Sequence, residues 1–162
     1  EAYKSINWTV IFLLAALVPI NKAIIKTGAD QYIGRMIQSL AEYLVSFGGS
    51  EFTVYLSLLY FVTFILSAFM SNAAVAIILA PIGVFLASGL PVPIDPKPFL
   101  VAICFGASNS FMTPIGYQTN LMVYGPGEYK MKDFIYVGLP LTLIFWYVAI
   151  NLIPIYWPEI PV

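Results

Sequence analysis

From residue 52 to residue 94 no side chain carries a charge, and the middle of that run is interrupted by Ser71-Asn72-Ala73-Ala74. One helix crosses a bilayer with about 20 apolar residues, so a run about twice that long reads as two helical arms meeting at a polar tip. The design repeats at once. Residues 98 to 127 are also free of charge, and Thr113-Pro114-Ile115-Gly116 breaks their centre. Proline removes a backbone donor and obstructs the preceding turn, and glycine loosens the next, so this segment cannot continue as one regular helix. Two interrupted apolar segments in succession are the pattern of a binding site built inside a membrane.

Composition agrees with that reading. Of 162 residues, 60% are hydrophobic and 9% charged, where a soluble domain carries about 25% charged residues. Mean hydropathy is +0.89. We therefore expect an all-α integral membrane protein in contact with lipid, in the cell's inner or plasma membrane. A net charge of -1 offers no surface for nucleic acid. There is no histidine, and the single cysteine, Cys104, lies inside an apolar run, which argues against disulfides, thiolate metal sites and His-based catalysis. The expectation is that the chain is not an enzyme and that Cys104 is a small buried residue. The chain starts at Glu1 without a recognisable basic-then-apolar signal peptide, so residues 1–162 read as a single membrane domain belonging to something longer.

Along the chain, residues 5–28 read as a transmembrane helix, stopped by Thr27-Gly28 with Lys22 and Lys26 near its negative end. Residues 30–46 read as an amphipathic interfacial helix capped by Asp30, with Tyr32, Ile33, Met36, Ile37, Leu40, Ala41 and Leu44 on its apolar face. Residues 51–90 read as a helical hairpin with arms over 52–70 and 75–90. Their lengths, about 29 and 24 Å, allow either two crossing helices or a re-entrant hairpin that stops inside. The linker after it holds Pro91, Pro93, Pro96 and Pro98 with Asp95 and Lys97, and so belongs at a wet surface. A broken transmembrane helix over 98–127 and a last transmembrane helix over 133–158 complete the expected bundle, with Trp146, Tyr147, Tyr156 and Trp157 available for the interfaces.

The two breaks carry the chemistry. Helix ends within the hydrocarbon layer leave C=O and N–H groups that must face protein, water or a ligand. Ser71 and Asn72 can cap the second arm, whose first N–H groups then favour an anion. The free carbonyls ending the first arm, with the Ser67 hydroxyl and the Asn72 amide oxygen, are hard donors that suit Na⁺. Gln118, Thr119 and Asn120 add polar groups just after the second break. The plainer alternatives are a Ser-Asn turn and a proline-kinked helix. No Arg or Lys lies in either central run, so a dianion there would need cations beside it. A monovalent pair at ~4 Å in an effective dielectric of about 20 gains about 4 kcal/mol. A proton fits less well, because neither break carries an Asp, Glu or His.

The phrase Leu66-Ser67-Ala68-Phe69-Met70-Ser71-Asn72-Ala73-Ala74 resembles the Ser-Asn-Thr hairpin of the divalent anion/sodium symporters, which carry dicarboxylates, citrate or sulfate. The phrase Met112-Thr113-Pro114-Ile115-Gly116-Tyr117-Gln118-Thr119-Asn120 resembles that family's unwound helix. The resemblance covers nearly the whole chain and implies the C-terminal half of such a transporter. It implies a helical bundle with a re-entrant hairpin and an unwound transmembrane helix, one inverted repeat of an ion-transporter fold. The missing N-terminal half would supply the other hairpin, and two such proteins would form a homodimer. Sodium is the implied cofactor, held by Ser67, the Met70 carbonyl, Asn72 and the Gly116 carbonyl, with Asn120 beside them. The implied small anionic substrate meets Ser71 and Asn72, with Ala73, Tyr117, Gln118 and Thr119 completing that side. Ala73 stands where the family motif has Thr, and Tyr117-Gln118 replaces its Pro-containing phrase. Both departures speak against dicarboxylate recognition, and the Tyr117-Gln118 version looks more like the sulfate-permease branch.

The expected function is thus secondary active transport of sulfate or a dicarboxylate, coupled to sodium. A related ion-transporter-fold permease or a Na⁺/H⁺ antiporter is the alternative within transport. A membrane assembly subunit without its own ligand is the alternative outside it.

Overall fold

The computed structural model describes residues 15, 19, 22–90, 92–158 and 160. The helix expected over 5–28 lies mostly outside them. Its end is described: residues 22–27 are helical, and Gly28 closes the turn at φ 71° with its N–H donating to the Ile25 carbonyl at 3.2 Å. That left-handed conformation suits glycine. Helix α1 (Ala29–Val45) starts at the next residue, with Gly28 in the N-cap position. Asp30 is therefore not the cap expected from sequence. It lies buried in the first turn, beyond the position from which a cap reaches the free N–H groups. The inward face of α1 is Asp30, Gly34, Ile37 and Ala41, while Tyr32, Met36, Leu40 and Leu44 are left exposed. A side chain at Gly34 would collide with the Phe85 ring, so the missing Cβ lets α1 sit close to α3.

The first long charge-free run forms two helices, α2 (Glu51–Ser67) and α3 (Asn72–Ser88). Each begins at a serine outside its first turn. The Ser50 hydroxyl accepts from Thr53 N–H at 3.3 Å, and the Ser71 hydroxyl accepts from Ala74 N–H at 3.4 Å. Because Ser71 caps, the second helix starts at Asn72, three residues earlier than the polar break alone indicated. Each helix has 17 residues, about 26 Å of axis. Both are apolar all round, the mark of helices packed on several sides.

Those sides meet α1 and α4 (Lys97–Ser108). The core they share is Leu56, Leu59, Leu79, Ile82, Phe99 and Ile103, all almost fully buried. Gly106 lets α4 approach the Tyr60 carbonyl and the Thr63 side chain of α2. Cys104 is not buried as expected but exposed, beside the half-exposed Phe105, on a side of α4 turned away from α2 and α3. At the start of α4, Asp95 pairs with Lys97 at 2.8 Å and accepts its backbone N–H at 3.0 Å. The Lys97 contacts hold the Asp95 carboxyl below the usual carboxylate range.

After α4, residues 109–117 leave helical structure. A short helix α5 (Gln118–Tyr124) and the long α6 (Met131–Tyr156) follow. Lys130 N–H donates to the Asp133 carboxylate at 2.7 Å and fixes the start of α6. Its 26 residues make α6 the one described helix long and apolar enough to cross a membrane, about 39 Å of axis. It is pinned to α2 by the Trp146 indole N–H, which donates to the Ser57 carbonyl at 3.2 Å.

The ends of these elements sort into one arrangement. Ile94 N–H reaches the Ala87 carbonyl at 3.2 Å, and Asp95 N–H reaches the Ile160 carbonyl at 3.0 Å. Ser50 and Ile150 line one shared groove. The start of α2, the end of α3, the start of α4 and the end of α6 therefore lie at the same end of the bundle. The connector 68–71 and the stretch 109–117 lie away from that end.

Candidate functional site

Ser67 is the last residue of α2 and is fully buried. Its hydroxyl lies 2.5 Å from the Ala107 carbonyl, near the end of α4, and 3.0 Å from Asn72 Oδ1, at the start of α3. One hydroxyl carries one proton, so it can donate to only one of these two acceptors at a time. Donation to the nearer Ala107 carbonyl leaves the Ser67 and Asn72 oxygens facing each other through lone pairs. A small hard cation bridging them removes that repulsion. With the Asn72 amide turned over, its N–H donates to the Ser67 hydroxyl instead.

The second interruption closes onto this tip. The Thr113 hydroxyl donates to the Ala68 carbonyl, in the C-cap of α2. The same hydroxyl accepts from Gly116 N–H at 3.1 Å. Gly116 sits so close to the hairpin that a Cβ there would lie 2.6 Å from the Ser67 carbonyl oxygen. Asn120 folds the stretch on itself, its amide donating to the Ser110 carbonyl at 2.9 Å and to the Thr113 carbonyl at 3.1 Å. Behind them, the Asn109 amide donates to the Tyr60 hydroxyl at 3.3 Å and to the Thr142 carbonyl of α6 at 3.2 Å. Its oxygen and the Thr142 hydroxyl are buried with no hydrogen-bond partner.

Of the residues singled out from sequence, Ser67, Asn72 and Gly116 are drawn together by these contacts. Met70 and Ser71 lie in the exposed connector beside them, and Ala73 is half-buried in the first turn of α3. Asn120 is committed through its N–H groups to the neighbouring loop carbonyls. Tyr117, Gln118 and Thr119 are exposed at the start of α5, and the hydrogen bonds that tie the break to the hairpin do not pass through them. Sequence reading passed over Thr113 and Asn109. Both are polar residues nine-tenths or more buried in an apolar run, and that combination was the available signal.

The oxygen set fits a monovalent hard cation. It comprises a serine hydroxyl and an asparagine amide oxygen 3.0 Å apart, with the Ser67 main-chain carbonyl packed against Gly116 and no thiolate or imidazole among them. Neither charge-free run contributes a charged side chain. No group of three acidic, His or Cys side chains that could hold a metal occurs among the described residues. The first N–H groups of α3, at the Ser71-capped end, add a partial positive charge to the same region.

Residues 1–106 match the family described as citrate transporter, a stretch that includes the whole hairpin. The chain belongs to that transporter family. Its members are membrane carriers, so the chain is an integral membrane protein. It is 40% identical over 144 residues to an uncharacterized transporter of Synechocystis sp., covering 89% of this chain and 22% of that protein. It is 33% identical over 158 residues to an uncharacterized transporter of Escherichia coli, covering 98% and 25% respectively. The Chlamydomonas reinhardtii protein named sodium/sulfate cotransporter 2 is 34% identical over 149 residues, covering 92% of this chain and 16% of its own length. The chain thus spans a quarter or less of these relatives. Matches this long necessarily take in both the hairpin tip and the 109–117 stretch of this transporter family member.

Proposed function

We propose that this chain is one half of the pathway of a sodium-coupled carrier for a small divalent anion, with sulfate favoured over dicarboxylates. The observation that carries the reading is the meeting of the two interruptions at Ser67, Asn72, Thr113 and Gly116, within segments that have no charged side chain. On this reading the cation sits among the oxygens of Ser67, Met70, Asn72 and Gly116. The anion meets the N-terminal end of α3 at Ser71 and Asn72, with the Tyr117 to Thr119 side opposite. The cation lowers the cost of holding a dianion where no Lys or Arg is present. Transport and not catalysis is proposed, since the site offers no general acid or base. The names of the Chlamydomonas relatives support sulfate. Ala73, which removes a hydroxyl from the anion side, accords with that choice.

The hairpin is proposed to be re-entrant. Both outer ends of α2 and α3 lie at the end of the bundle where α6 terminates, and arms of about 26 Å fall short of a hydrocarbon core of about 30 Å. The tip then lies inside the membrane, where its unpaired backbone groups require a ligand or protein partner. An inverted copy in the rest of the parent protein is proposed to face it, and two parents to pair as a homodimer.

Uptake of radiolabelled sulfate and of succinate by cells expressing the full-length parent tests this reading. Sulfate uptake is expected to fall to background when choline replaces sodium, with succinate a poor competitor. Sodium-independent uptake of both would overturn it. The 162-residue chain, reconstituted alone, is expected to give no sodium-dependent sulfate flux above empty liposomes. Flux from the chain alone would mean that copies of it build a complete pathway.

A further inference from the structure

We propose that Thr113 is a positioning residue, a latch whose hydroxyl sets the separation between the hairpin tip and the broken stretch and thereby the affinity of the cation site. The inference rests on the sodium-coupled reading above and assigns to that site a residue that binds neither ion. Three observations carry it. The Thr113 hydroxyl is the shared link of a chain that runs from Gly116 N–H, through the hydroxyl, to the Ala68 carbonyl. Residues 45 positions apart are thus joined by one side chain. Thr113 is 3% exposed and is followed by Pro114. A residue before proline is disfavoured from helical geometry, so the stretch, non-helical from residue 109, does not resume a helix at Thr113. Finally, the Asn120 amide fixes the Thr113 carbonyl at 3.1 Å, which anchors the backbone that carries the hydroxyl.

The groups joined by the latch flank the proposed cation donors on both sides. Ala68 follows Ser67 and precedes Met70 by two residues, and the carbonyl of Gly116 belongs to the residue whose N–H is tied. Losing the hydroxyl leaves a helix-terminal carbonyl and a buried N–H without a partner, and both would then turn toward other groups or water. The donors would stay in the chain but lose their common spacing. Removal should therefore weaken sodium binding without abolishing movement of the loaded carrier. A residue that only stabilised the fold would lower the amount of active protein and leave the sodium dependence of the remainder unchanged.

The test uses the full-length parent with Thr113→Val, Thr113→Ala and Thr113→Ser. Two readouts are taken: the sodium concentration for half-maximal sulfate uptake, and hydrogen–deuterium exchange of peptides covering 66–74 and 110–120. Thr113→Val and Thr113→Ala are expected to raise half-saturating sodium roughly tenfold. The maximal rate at saturating sodium should stay within about twofold, and both peptides should exchange faster. Thr113→Ser, which keeps the hydroxyl, should match the parent in both readouts. A serine variant that behaves like alanine, or a valine or alanine variant with unchanged exchange in both peptides, overturns the latch. Exchange needs no transport, so faster exchange in Thr113→Val and Thr113→Ala of a carrier whose uptake ignores sodium keeps the tether between the hairpin and the broken stretch while rejecting the sodium-coupled reading. Faster exchange with parent-like sodium dependence overturns the effect on the cation site.

Discussion

Replacing Gly116 by valine in the full-length parent is expected to raise the sodium needed for half-maximal sulfate binding by roughly 10- to 100-fold. The expectation comes from space. An ideal Cβ at Gly116 would lie 2.6 Å from the Ser67 carbonyl oxygen, 3.2 Å from Ser110 Cβ and 3.3 Å from Thr113 Oγ1. The nearest of these is backbone at the end of α2, which cannot swing aside as a long side chain would. Forcing extra carbon into such a contact costs about 1–3 kcal/mol, enough for the stated range if the strain falls on the cation site. Valine adds two methyl groups to that Cβ, and even alanine must push the hairpin tip away. Sulfate affinity should fall with sodium affinity, because binding free energies of coupled ligands are reciprocal. Isothermal titration of sulfate into the purified variant at several sodium concentrations provides the measurement. Parent-like sodium dependence would show that the tip and the broken stretch do not share a cation.

Gly116 also shows where sequence reading reached and where it stopped. A Thr-Pro-Ile-Gly phrase in a charge-free run announced a break, and residues 109–117 are non-helical. The natural inference from the residue type was that the backbone there needs glycine's conformational freedom. Among the described glycines only Gly28 and Gly48 have positive φ. Gly116 is required because another backbone passes against it, and a neighbour about 50 positions away in the chain leaves no trace in local pattern. The same reason hid Thr113, whose partner on α2 is equally remote. Local chemistry was legible where it acts locally: Ser71 caps the helix that follows it, and Gly28 ends a helical segment. Asp30 misled because Gly28 already occupied the cap position. Cys104 misled because an apolar run does not say which of its sides meets the core and which faces outward.

Asn72→Ala should reduce sodium-driven sulfate uptake by roughly 100-fold while the protein still inserts and folds. Asn72 is the first residue of α3, and its side chain lies 3.0 Å from the Ser67 hydroxyl. On the proposed reading the oxygen of its side-chain amide serves the cation, and the N–H of the same amide serves the anion. Losing a hydrogen bond or ligand contact to a charged group costs about 1.5–3 kcal/mol, and two such roles in one side chain reach the upper part of that range. Stability should hardly change. The cap of α3 is the neighbouring Ser71, whose hydroxyl accepts Ala74 N–H, and alanine is a good helix former at the vacated position. Ser71→Ala offers the contrast: loss of the cap is expected to cost about 1 kcal/mol of stability, visible as a lower melting temperature in detergent. Thermal unfolding of both variants separates the cap from the site: Ser71→Ala is expected to melt earlier, and Asn72→Ala at the parent's temperature. An Asn72→Ala protein that melts early and retains sodium-driven uptake would place Asn72 in the turn alone and remove it from the site.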